Sequence, residues 1–177
     1  DCVVAETQAE VTYLLHKVIL AMNDIMVPNK TMSADEIQAA AGSGATSITA
    51  DDANGKKYQI TSSTKILDAE NCNVGADKKI PPEELFVRDN CERYTEVTYK
   101  DQNDNFQTLY VYNEEDEYDT NTLYKIGNVS INPDLLKEVT KMPVYRQNGT
   151  ADSNGAVDMS LGTKITAAWQ QTSMVIA

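Results

Sequence analysis

Tyr94-Thr95-Glu96-Val97-Thr98-Tyr99-Lys100-Asp101-Gln102-Asn103-Asp104-Asn105-Phe106-Gln107-Thr108-Leu109-Tyr110-Val111-Tyr112-Asn113 decides the reading of the fold. Tyrosines and β-branched residues crowd both sides of a polar tip at Asp101–Asn105, so Tyr94–Lys100 and Phe106–Asn113 read as two antiparallel strands joined by a turn. A second hairpin lies upstream. There Asn54-Gly55, which readily supplies positive φ, divides Thr46–Thr49 from Lys57–Thr61. Downstream, the acidic turn Glu114–Asp119 leads into a further expected strand at Thr122–Ile126, giving an antiparallel meander. Asn132 before Pro133 is an N-cap and first-turn pair, which predicts a helical turn through Lys141. Val144–Gln147, Val157–Leu161 and Lys164–Gln170, separated by Asn148-Gly149, Asn154-Gly155 and Gly162, read as three more strands. On the last of them Ile165, Ala167 and Trp169 share a face, which predicts Trp169 in the core.

The clearest helix precedes all of this. From Ala5 to Met26, Val11, Leu14, Leu15, Val18, Ile19, Met22, Ile25 and Met26 recur at spacings of three and four, one apolar helical stripe. Glu6 and Glu10 suit the positive end of its dipole, and Pro28 stops it. Ser33-Ala34-Asp35-Glu36 is a capping box opening a short helix over Ala34–Ala41, with Gly42 as its stop. The expected architecture is α+β, an N-terminal amphipathic helix packed on an antiparallel β-meander. It is read as a single domain over 1–177, with the helix in 1–27 and the β-rich body in 45–177.

Composition narrows the function. Hydrophobic residues at 41% and charged residues at 24% are ordinary for a globular chain. A formal charge of −12 repels phosphate backbones and anionic membrane surfaces, so nucleic acid is not an expected partner. No apolar run is long enough to span a bilayer. The first residue is Asp1 rather than methionine, which fits either removal of a leader or a cut made there; export is the expectation taken. Of the three cysteines, Cys72 and Cys91 flank a loop containing Pro81 and Pro82 and are expected to form a disulfide contributing about 3 kcal/mol. Cys2 is then left for an intermolecular link, a lipid or no role.

Catalytic signatures are sparse. The lone His16 lies on the helix with no nucleophile signalled beside it. Ser62-Ser63-Thr64-Lys65 matches S-x-x-K, but in a β-rich stretch its two ends face opposite ways and no companion motif exists. Phosphate-loop, zinc-protease and nucleophile-elbow motifs are missing, and neither an enzyme nor a cofactor is expected. Asp101, Asn103 and Asn105 occupy the first, third and fifth positions of an EF-hand-like loop, but Phe106 and Tyr112 stand where glycine and glutamate are needed, so they are weak metal candidates. Asn29, Asn128 and Asn148 head glycosylation sequons.

The order of elements resembles the globular part of type IV pilin-like proteins and pseudopilins. Glu6-Thr7-Gln8-Ala9-Glu10-Val11-Thr12-Tyr13-Leu14-Leu15 is similar to the second half of a pilin's long first helix. Thr95–Lys100 with Asn121-Thr122-Leu123-Tyr124-Lys125 is similar to the paired strands of minor pilins. The apolar stretch bearing a glutamate with which that family opens is not among these residues. The resemblance implies a non-catalytic subunit whose first helix packs in a filament and whose sheet faces outward. The expected function is therefore an extracellular or cell-surface structural subunit assembling with copies of itself. Cys2, Val11, Leu14, Leu15, Val18, Ile19, Met22 and Ile25 are its assembly residues. The alternative is a secreted binding module that recognises a ligand or cation through the tyrosine-bearing meander and the acidic turns.

Overall fold

A computed structural model describes residues 2–147 and 155–173, the side chains of Cys2, Thr172 and Ser173 excepted. In chain order its elements are α1 (Cys2–Met26), β1 (Asn29–Thr31), α2 (Ala34–Ala41), β2 (Ile48–Asp52), β3 (Lys57–Ile60), β4 (Lys65–Leu67), β5 (Phe86–Arg88), β6 (Tyr94–Lys100), β7 (Phe106–Tyr112), β8 (Val129–Ile131), α3 (Pro133–Lys137) and α4 (Leu161–Ser173). The class is α+β, with an N-terminal helix and a six-stranded antiparallel sheet. The chain forms two compact units, each discontinuous in sequence.

One unit, Asn29–Asp68 with Glu92–Glu114, is the sheet. Its order is β1-β4-β7-β6-β2-β3, and β6 pairs with β7 along its full length from Tyr94↔Tyr112 to Lys100↔Phe106. Side chains alternate between faces, so Ile48, Ala50, Ile60, Ile66, Val97 and Val111 gather on one side with Ile37 and Ala40 of α2. The capping box of α2 is complete: the Glu36 amide donates to Ser33 Oγ (3.1 Å) and the Ser33 amide donates to Glu36 Oε2 (2.7 Å). At the other end of α2 the Gln102 amide and side chain donate to the Ala40 and Ala39 carbonyls, both at 3.0 Å, satisfying two terminal acceptors that no helix can satisfy itself. The turn at Asn54-Gly55 forms as expected, with Gly55 at φ +78°.

The other unit, Asp1–Pro28 with Ala69–Cys91 and Glu115–Ala177, is poor in strands. It holds α1, a two-stranded pairing of β5 with β8, α3, and α4 packed on α1. Asn132 caps α3 as expected, its Oδ1 accepting from the Asp134 amide at 2.9 Å.

Four strand expectations give way here. Lys164–Gln170 is helical, because Leu161, Ile165, Ala168 and Trp169 fall at the i, i+4, i+7, i+8 spacing of a helix face. Trp169 consequently is not a core residue and stands 61% exposed. Thr122–Ile126 is not a strand. Asp119 and Asp116 use their carboxyl and carbonyl groups to hold a 3-10 turn over Thr120–Thr122. Val144–Gln147 and Val157–Leu161 shrink to isolated bridges, Tyr145 pairing with both Val74 and Val157. The Asn148-Gly149 turn and the acceptor Asn148 lie outside the described residues.

Candidate functional site

Helix α1 changes character halfway along. Every residue from Val3 to Tyr13 is exposed, whereas Ile19 is 4% exposed and Met26 is buried. Val4, Val11, Leu15, Val18 and Met22, spaced seven, four, three and four apart, lie on one row of the helix. The lower part of that row is covered, since Val18, Ala21 and Met22 meet Ile165, Ala168 and Trp169 of α4 across a narrow crevice of about 20 Å³. The upper part is open: Val4 is 61% exposed, Val11 57% and Leu15 41%. Of the expected assembly residues, Val11 and Leu15 are thus exposed, while Leu14, Val18, Met22 and Ile25 are half-buried and Ile19 is buried. The side chain of Cys2 is not among those described.

A groove of about 500 Å³ runs along a neighbouring flank of α1, between Ala9, Tyr13 and His16 on the helix and Leu123, Tyr124 and Lys125. In it His16 Nε2 lies 2.8 Å from Glu115 Oε2, and the Tyr124 amide donates to Glu115 Oε1 at 2.7 Å. The sequence did not signal this partner, which is 99 positions away.

Below the groove the helical unit is held by buried polar side chains. Asn23 behaves like a strand partner: its Nδ2 donates to the Phe86 carbonyl (2.8 Å) and its Oδ1 accepts from the Phe86 amide (3.0 Å). The Nδ2 also donates to Glu84 Oε2 at 3.0 Å, the same oxygen that accepts from the Tyr124 hydroxyl at 2.8 Å. Arg88 stacks on the Tyr124 ring at 4.5 Å. At the start of α4, Asp158 accepts from Asn73 Nδ2 (3.0 Å), Ser160 Oγ (2.6 Å) and Arg146 Nη2 (2.9 Å); the amide of Asn73, then Ser160 and Arg146, hold its carboxyl far below the usual range. A larger cavity of about 740 Å³ lies between Val74–Ala76 and Tyr145–Gln147, with Lys78 at its rim.

The remaining candidates fall as follows. Asp101 is a turn organiser: its carboxylate accepts from Gln107 Nε2 and from the Asn105 and Asn103 amides, which lower its pKa, and its side chain is turned to the loop's own donors. Among the described residues no group of three or more His, Cys, Asp or Glu side chains is placed to hold a metal ion. No disulfide joins Cys72 to Cys91. Cys72 Sγ is instead engaged in its own turn, donating to the Ala69 carbonyl (3.6 Å) and accepting from Gln147 Nε2 (3.2 Å). Asn128 is buried, and its Nδ2 donates to the carbonyls of Leu123, Asn121 and Thr120, bonds that a sugar on that nitrogen would displace. Asn29 is half-buried in β1. No described helix is long and apolar enough to cross a membrane.

Comparison with known proteins finds no match: no family model, no curated protein and no solved structure is similar to this chain.

Proposed function

We propose that the protein is a non-catalytic structural subunit, working outside the cell or at its surface, that assembles with copies of itself in the manner of pilin-like proteins. The observation that carries this reading is the open upper half of α1. A row of Val4, Val11 and Leu15 stands in solvent directly in line with Val18 and Met22, which the chain itself covers. Apolar rows of this kind on a solvent-facing helix mark contact with another macromolecule. The net charge of −12 argues against a nucleic acid or an anionic membrane as the partner.

Light scattering over a range of protein concentration tests the reading. The mass should rise above the 19.5 kDa of one chain, and the double substitution Val4→Asp with Val11→Asp should return it to the monomer value while leaving the fold intact by circular dichroism. A strict monomer at every concentration would instead favour a binding module. For that second reading the supporting feature is the outward row of β7, where Phe106 is 76% exposed and Tyr110 half-buried.

A further inference from the structure

We draw no further inference here: the strongest candidate, the apolar groove between the flank of α1 and Leu123–Lys125 above the His16–Glu115 pair, carries nothing because Lys125 and Glu115 set opposite charges on it and nothing in the structure shows what covers it.

Discussion

The two units solve the problem of a dry interior in opposite ways. In the sheet unit, the buried cluster is aliphatic, from Met32 and Ile37 through Ile48, Ile60 and Val97 to Val111. In the helical unit the buried set includes Asn23, Glu84, Arg88, Asn128, Asn132 and Asp158. The cause is backbone accounting. Strands pair their own amides and carbonyls, so the sheet's main cluster needs no polar side chain, and Arg93 is the one buried charged residue of that unit among those described, against several in the other. Loops cannot pair theirs in this way, and Asn128 collects three loop carbonyls while Asn23 closes on both polar groups of Phe86. A unit short of ladders borrows amides from its side chains.

The largest effect that would sharpen this contrast belongs to the sheet. Ile60→Ala should cost the sheet unit about 4 kcal/mol, seen as lost protection of β3 and β2 amides in hydrogen exchange. Next comes Asn128→Leu, which should destabilise the helical unit by about 3 kcal/mol even though leucine is the more apolar residue, because three carbonyls lose their donor. A neutral or stabilising result in urea unfolding would break the contrast outright. The smallest effect lies at the cap of α2. Hydrogen bonding from Lys30, then from Ser33, holds Glu36 at about 2 instead of 4.5. The folded value is the lower one, so its contribution is complete above 4.5 and is lost as the pH falls to 2. Glu36→Gln should cost about 1 kcal/mol or less at neutral pH and should flatten the acid dependence of thermal unfolding across that window.

What could be read in advance follows the same division. The pairing of β6 with β7 and the bounds of α2 were legible because alternation and a capping box are local signals complete within a few residues. The position of α4 was not. Ile165, Ala167 and Trp169 alternate over a short window, and the helical row emerges only when Leu161 and Ala168 are included. Thr122–Ile126 looked like a strand by composition, yet the aspartates ahead of it offered the backbone a competing turn. The open row of α1 was visible as a stripe, but which half would be covered depended on a helix far along the chain. His16 with Glu115, and Asn23 with Glu84 and Tyr124, left no trace in the sequence, since partners so distant share no periodicity.

The interleaving of the units has a temporal consequence. The chain passes between them at four points, and the sheet unit is complete once Glu114 has been made. The helical unit opens the chain yet cannot close until the stretch beginning at Glu115 arrives. During synthesis, then, the sheet can fold while α1 waits. For that interval the whole apolar row from Val4 to Met22 is without its cover, and whatever meets the nascent chain first, a neighbouring copy or a chaperone, competes with α4 for the lower half of the helix.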